Sequence, residues 1–140
     1  MIPIWYHLNM ELITRNTDYA VRALLYIAKA NKDLVSTAEL NAQLNLPRPF
    51  MRKVLQILQK EKFLISVKGH NGGFSLAKKP DKIFISDLIK VFQGEICLTG
   101  CLLNKEICPN IRVCPIRKKI KRIEKFAVNE FKGVTIGSLL

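Results

Sequence analysis

Apolar residues recur at three- and four-residue intervals in the first half of the chain, which is the spacing of an amphipathic helix. This spacing predicts a first helix over residues 17–29, with Asn16 or Thr17 as its N-cap. A shorter second helix is predicted from Ser36 to about Leu44, because Ser36 and the glutamate three positions later form a capping box.

A third helix is predicted to begin at Pro47 or Pro49, since proline is favoured in the first turn, and to run to about Lys60. Its apolar positions share one face, which comprises Met51, Val54, Leu55 and Leu58. The other face carries Arg48, Arg52, Gln56 and Gln59. That second face is cationic and rich in hydrogen-bond donors, so we expect it to meet a ligand.

Two short strands are predicted next, over residues 63–68 and 73–77. Residues 69–72 join them and contain Asn71-Gly72, a pair favoured in tight turns, which predicts a β-hairpin. The order of helix, short helix, turn, helix and hairpin is that of a winged helix-turn-helix.

The pattern changes after a further short helix, predicted over residues 85–92 with Ser86 as its cap. Residues 95–114 contain all four cysteines without a clear period, which indicates a loop built around a bound group. An amphipathic helix follows, and its apolar stripe comprises Ile116, Ile120, Ile123, Ala127 and Phe131. We expect an antiparallel second copy to cover this stripe.

The charge of the chain points to a polyanionic partner. Lysine and arginine total 23 against 11 aspartates and glutamates, a net charge of +12 in 140 residues. Residues 47–82 hold nine of these basic residues and two acidic ones, a net of +7. Nucleic acid is therefore the expected partner. A chain of this length excludes two large catalytic domains, and no residue pattern predicts an enzyme.

The predicted DNA contacts follow from side-chain chemistry. Arginine pairs bidentately with guanine edges in the major groove, which makes Arg48 and Arg52 base-reading candidates and Gln56 a further one. Phosphate contacts are expected at the start of the second helix, from Ser36 and Thr37. A further phosphate contact is expected from Lys53 on the third helix. On the hairpin, the candidates for the DNA backbone or minor groove are Lys68, His70 and Asn71.

The four cysteines are Cys97, Cys101, Cys108 and Cys114, separated by three, six and five residues. Structural zinc sites favour two close cysteine pairs, so these wider intervals favour an iron–sulfur cluster wrapped by a loop. A zinc site, buried structural thiols and disulfides remain alternatives.

Three features together resemble the IscR/NsrR-type winged-helix regulators of the Rrf family. They are the segment Met-Glu-Leu-Ile-Thr-Arg-Asn-Thr-Asp-Tyr-Ala that begins at Met10, the hairpin Lys68-Gly-His-Asn-Gly-Gly-Phe74, and a three-cysteine loop. The resemblance implies a homodimeric bacterial regulator whose operator affinity changes with the state of a bound cluster. A [4Fe–4S] cluster is favoured over [2Fe–2S], and aerobic purification can remove it.

By position, the resemblance assigns the cluster ligands to Cys101, Cys108 and Cys114. The histidine that serves as fourth ligand in some members is replaced here by Arg117. The nitric-oxide-sensing members use an aspartate of the first helix from the partner subunit, which corresponds to Asp18. Cys97 is the alternative fourth ligand.

The sequence thus predicts a mainly α protein with a small β-hairpin. Its expected divisions are an extension over 1–9, a winged helix-turn-helix domain over 10–94, a cluster-binding loop over 95–114, and a dimerisation helix with a tail over 115–140. We expect a cytoplasmic transcription regulator, in the form of a repressor, that binds an operator in double-stranded DNA and senses nitric oxide, redox state or iron. No membrane or small-molecule substrate is expected. The alternative is a cluster-free regulator that uses its cysteines as a thiol switch or zinc site.

Overall fold

The computed structural model describes residues 12–98 and 112–140. Within these ranges, five helices and one hairpin follow each other in the predicted order. The helices are α1 (Arg15–Lys29), α2 (Thr37–Leu44), α3 (Arg48–Lys60), α4 (Ile85–Gln93) and α5 (Pro115–Lys132), and the strands are β1 (Leu64–Val67) and β2 (Gly73–Leu76). Short 3₁₀ turns lie at Pro80–Lys82 and Gly137–Leu139. The winged helix-turn-helix fold is confirmed. The predicted extension over 1–9 and the cysteines Cys101 and Cys108 lie outside the described residues.

Helix α1 begins two residues earlier than predicted, and its N-cap is Thr14 rather than Asn16 or Thr17. Thr17 is instead a buried residue of the first turn, and its hydroxyl donates to Gln93 Oε1 at 2.8 Å. The same amide oxygen accepts from the Thr14 N–H at 3.0 Å, while Gln93 Nε2 donates to the Leu12 carbonyl. One glutamine at the end of α4 therefore fixes the start of α1.

Helix α4 begins at Ile85, and its N-cap is Phe84 rather than the predicted Ser86. Phe84 has an extended backbone and forms an antiparallel bridge with Thr135. The Ile85 N–H, which has no acceptor within the helix, donates to the Val134 carbonyl at 2.9 Å, so the C-terminal segment satisfies one of the donors at the start of α4.

Strands β1 and β2 pair antiparallel, with Val67 opposite Gly73 at the tip and Leu64 opposite Leu76 at the base. Val35, immediately before α2, adds one more bridge to β2, through paired N–H to carbonyl bonds with Phe74 at 2.8 and 2.9 Å. The hairpin is thereby attached to the start of α2.

The buried apolar residues of the described ranges form one core between the helices and the base of the hairpin. Its fully buried members include Leu24 of α1, Leu40 of α2, Leu55 of α3 and Leu88 of α4. Ile136, near the C-terminus, is also fully buried there, and its N–H donates to the Ile83 carbonyl at 2.8 Å. The sequence predicts that this tail belongs to the dimerisation segment. In the structure the tail instead contributes Ile136 to the core of the predicted 10–94 domain, where the apolar surface of that side chain is removed from water.

Candidate nucleic-acid interface and cysteine segment

The turn between α2 and α3 sets the direction of the candidate reading helix. Asn45 ends α2 in a left-handed conformation at φ 49°, and Pro47 is the N-cap of α3. Three residues, 45–47, therefore connect the two helices, as in helix-turn-helix proteins. The predicted buried face of α3 is confirmed, since Met51, Val54, Leu55 and Leu58 are all buried in the core.

The opposite side of α3 is a cationic surface exposed to solvent. Arg48, Arg52, Lys53 and Gln56 are all exposed. Within residues 12–98 and 112–140, none of these three cations forms an ion pair. Their charges are consequently not neutralised by carboxylates of the described chain.

The loop between β1 and β2 comprises residues 68–72, and its turn is closed by a bond from the Gly72 N–H to the Gly69 carbonyl at 3.1 Å. The predicted hairpin is confirmed, but His70 and Asn71 occupy the centre of the turn rather than the pair Asn71-Gly72. Lys68, His70 and Asn71 are exposed. The structure therefore places all three predicted hairpin contacts on one solvent-exposed tip.

Gly72, which closes the turn, and Gly73, which begins β2, are required by close backbone contacts. A Cβ on Gly72 would lie 2.1 Å from the Val67 carbonyl oxygen, and one on Gly73 would lie 2.6 Å from that of Val35. Both distances are far below ordinary van der Waals contact. A side chain at Gly72 would therefore disturb the turn against β1, and one at Gly73 would push β2 away from the segment before α2.

At the start of α2, Ser36 is the N-cap as predicted, and its hydroxyl accepts from the Glu39 N–H at 3.1 Å. The Glu39 carboxylate accepts from the Tyr26 hydroxyl at 2.7 Å and from Lys32 Nζ at 2.8 Å. These bonds hold α2 against the end of α1. They lower the pKa of the Glu39 carboxyl, mainly through Lys32, and raise the pKa values of Tyr26 and Lys32.

Phe50 is a candidate contact residue that the sequence reasoning missed. It lies in the first turn of α3 between Arg48 and Arg52, and 54% of its surface is exposed. Its exposure could have been predicted from the sequence, because Phe50 lies outside the set of apolar residues that forms the buried face of α3. An exposed aromatic ring at the start of a reading helix can contact a thymine methyl group.

The cysteine segment, residues 95–114, connects α4 to α5, and these two helices pack against each other. Cys97 is exposed, and Cys114 is half-buried at the N-cap of α5. Asp18 lies in the first turn of α1, where its carboxylate accepts from Arg22 Nε at 2.8 Å with 42% of the side chain exposed. Within the described ranges, no three residues of the histidine, cysteine, aspartate and glutamate types gather to hold a metal.

Residues 13–140 match the Rrf2 family, which is described as iron-dependent transcriptional regulators. The chain belongs to the Rrf2 family. As members of that family are transcriptional regulators, the expectation that this protein is not an enzyme is confirmed.

Individual relatives of this Rrf2 chain agree with the family match. A protein of Aquifex aeolicus named as an HTH-type transcriptional regulator is 39% identical over 124 residues, covering 87% of this chain and 86% of the relative. CymR, the global cysteine regulator of B. subtilis, has a TM-score of 0.73 at 21% identity, covering 91% of this chain and 94% of CymR. T. potens IscR has a TM-score of 0.70 at 20% identity, covering 96% of this chain and 88% of IscR. These two solved structures establish the shared fold.

The long helix of this Rrf2 chain, α5, differs from the single apolar stripe that the sequence predicts. Ile116 and Ile123 are exposed at 69% and 57%, whereas Phe131 packs against the core. Phe126, outside the predicted stripe, is 68% exposed.

In the part of the chain that the structure describes, no helix is both long and apolar enough to cross a membrane.

Proposed function

We propose that this Rrf2-family chain regulates transcription as a repressor whose operator binding is controlled by an iron–sulfur cluster. The observation that carries the DNA-binding part of the proposal is the cationic face of α3, which is exposed and has no carboxylate partner among the described residues. Such a face gains free energy on double-stranded DNA, because each phosphate that it neutralises releases condensed counterions.

The proposed contacts divide by chemistry. Arg48 and Arg52 read guanine edges from the major groove, and Gln56 reaches a neighbouring edge. Phosphates are held by Lys53, Ser36 and Thr37. Because the Ser36 hydroxyl already caps α2, the backbone of Ser36 is a better phosphate contact than its side chain. Lys68, His70 and Asn71 at the tip of the hairpin contact the DNA backbone or the minor groove.

Cys101, Cys108 and Cys114 are the proposed cluster ligands, with Asp18 of the partner subunit as the fourth and Cys97 as its alternative. The described donors suit such a group. Cys114 lies at the N-terminus of the 18-residue helix α5, whose dipole favours bound negative charge. Among the described residues, the Asp18 carboxylate pairs with Arg22 at the surface, an interaction of a kind that contributes about 0.3–0.5 kcal/mol, so it can change partners at little cost.

When bound, an iron–sulfur cluster supplies iron that reacts with nitric oxide or oxygen, most readily where an oxygen atom replaces a thiolate. The protein couples that reaction to the position of its DNA-reading helix. Gln93, four residues before Cys97, fixes the first turn of α1, and α1 packs against α3. A change at the cysteine segment can therefore reach the reading helix through α1.

The proposed homodimer rests on α5. Ile116, Ile123 and Phe126 are each more than half exposed, and a second copy of α5 would remove this apolar surface from water. In a dimer the two reading helices meet successive major grooves, about 34 Å apart along the duplex.

The test is preparation of the protein without air, followed by measurement of iron, sulfide, visible absorption and operator binding. We expect each of Cys101→Ala, Cys108→Ala and Cys114→Ala to remove iron and colour. Asp18→Ala should destabilise the chromophore, whereas Cys97→Ala should retain it. Operator affinity is expected to differ between protein with and without iron, and to fall linearly with the logarithm of salt concentration.

Two outcomes would contradict parts of this proposal. Zinc, or a reversible disulfide without iron, would establish the cluster-free regulator instead. Loss of colour in Cys97→Ala, with colour kept in Asp18→Ala, would make Cys97 the fourth ligand.

A further inference from the structure

Phe50 lies on the reading helix but does not belong to the apolar core. Its side chain is 54% exposed, whereas the next residue, Met51, is fully buried. Phe50 is also not among the apolar residues of the described ranges that pack against the core. A single exposed apolar residue is common on protein surfaces, so the surroundings of the ring decide what it fits.

The backbone of the first turn of α3 holds Phe50 in a fixed position. Pro47 is the N-cap, and the Phe50 N–H donates to its carbonyl at 3.1 Å. The neighbouring Met51 anchors the same turn in the core. Aromatic side chains of a helix lean towards its N-terminus, so we expect the phenyl ring to cover the start of α3. This is the end of a recognition helix that contacts base edges.

The side chains around Phe50 favour DNA over a protein as the partner of the ring. Arg48, Arg52 and Lys53 are exposed, and none of them forms an ion pair in the described part of the chain. An apolar protein surface docked on Phe50 would remove water from these cations without neutralising them, which is costly. A duplex supplies phosphates to the cations and, in its major groove, an apolar group to the ring.

Phe50 occupies a different flank of α3 from the two arginines. At about 100° per residue, it is turned about 160° from both Arg48 and Arg52, but only about 60° from Lys53. The ring therefore does not compete with either guanidinium for the same base edge. It lies on the same flank as the lysine that we propose to hold a phosphate.

We infer that Phe50 reads a thymine through its 5-methyl group and is thereby a specificity-determining residue. Thymine is the base that presents an apolar group, its methyl, in the major groove. A phenyl ring placed on the donors or acceptors of the other bases would leave those atoms without a hydrogen bond, which is costly. The inference rests on the proposed reading of DNA by α3. It adds to each half-site a thymine that is contacted from the flank of α3 away from Arg48 and Arg52.

The test uses the full chain prepared without air and an operator that it selects from a library of random duplexes. Each thymine of one half-site is replaced in turn by deoxyuridine, which lacks only the methyl group, and affinity is measured by fluorescence anisotropy. For the natural chain, we expect at least one replacement to weaken binding about three- to fivefold, the loss that one buried methyl group implies. Phe50→Ala should bind the thymine and deoxyuridine operators equally at that position. Because Phe50 is uncharged, its replacement should leave the salt dependence of binding unchanged.

Two further variants serve as controls. Phe50→Leu keeps an apolar side chain and should retain part of the preference for thymine. Ile65→Ala removes an apolar side chain of similar exposure, 52%, from β1 and should retain all of that preference. Circular dichroism of each variant separates a loss of contact from a loss of folding.

The inference is overturned if no replacement by deoxyuridine weakens binding, if Phe50→Ala keeps the full preference for thymine, or if Ile65→Ala loses that preference as well. In each of these results an operator is still bound, so the proposed reading of DNA by α3 stands. Failure of the library to yield any operator would instead contradict that proposed reading, and this inference with it.

Discussion

At the scale of single residues, the cationic face of α3 contains side chains with different tasks. Arg52 and Lys53 are neighbours, yet one helical step turns them about 100° apart, so their side chains leave α3 in different directions. A planar guanidinium suits two acceptors on one base edge, whereas an ammonium group acts as a point charge on phosphate.

We predict that Arg52→Ala weakens operator binding by about 1–3 kcal/mol and reduces the preference for operator over unrelated duplex. Lys53→Ala should weaken all duplexes alike and reduce the slope of log affinity against log salt by about 1. Fluorescence anisotropy with an operator and a scrambled duplex at several salt concentrations measures both effects. An equal loss on both duplexes for Arg52→Ala would assign that residue to phosphate.

At the scale of elements, the junction of α1 and α2 depends on one carboxylate. Glu39 receives hydrogen bonds from Tyr26 of α1 and from Lys32 of the connecting segment, and it also supplies the N–H that Ser36 caps. The position of α2 relative to α1 is therefore set by a polar cluster as well as by the core.

This cluster predicts a pH-dependent stability. Because the folded state lowers the pKa of Glu39 below 4.5, its contribution is fully present above about pH 4.5 and is lost as the pH falls through the lowered value. Glu39→Gln should thus reduce the free energy of unfolding at neutral pH, and the difference from the natural chain should shrink in acid.

Urea denaturation at several pH values measures this difference. Glu61→Gln is the matched control, since Glu61 is exposed and forms no ion pair in the described ranges. A deficit in Glu39→Gln that is unchanged between neutral and acidic pH would show that the carboxylate does not contribute through its charge.

At the scale of the whole molecule, α5 is attached to the DNA-binding core through its C-terminal end. The segment that follows it bridges Phe84 through Thr135 and buries Ile136. Gly137 also packs directly against Asp81, where a Cβ would lie only 1.8 Å from the carboxylate. The C-terminal end of α5 is thereby joined to the start of α4.

We predict that Ile136→Ala destabilises the entire fold by about 2–5 kcal/mol, the usual range for removing a buried isoleucine side chain. Leu139→Ala, three residues away and 45% exposed, should change stability by less than about 0.5 kcal/mol. Thermal or urea unfolding followed by circular dichroism compares the two. Equal effects would show that the tail is not part of the cooperative core.

The sequence by itself determined the order of the elements and the buried face of α3. Apolar period, the Ser36 cap and the glycine-rich hairpin are local signals, because each depends on neighbours within a few residues. The exposure of Arg48, Arg52 and Lys53 follows from the same period, since residues opposite a buried stripe must face solvent.

Only the tertiary structure decided where distant segments meet. The cap of α4 was predicted wrongly because its partners, the residues around Thr135, lie far away along the chain. The burial of Thr17 beside Gln93 is likewise a long-range contact, although Thr14 caps α1 through a local bond to the Thr17 N–H. For the same reason, no local pattern could place Ile136 in the core or bury the Glu124 side chain of α5. Hydrophobic period reports which side of a helix is apolar, whereas its actual partner depends on how the chain returns upon itself.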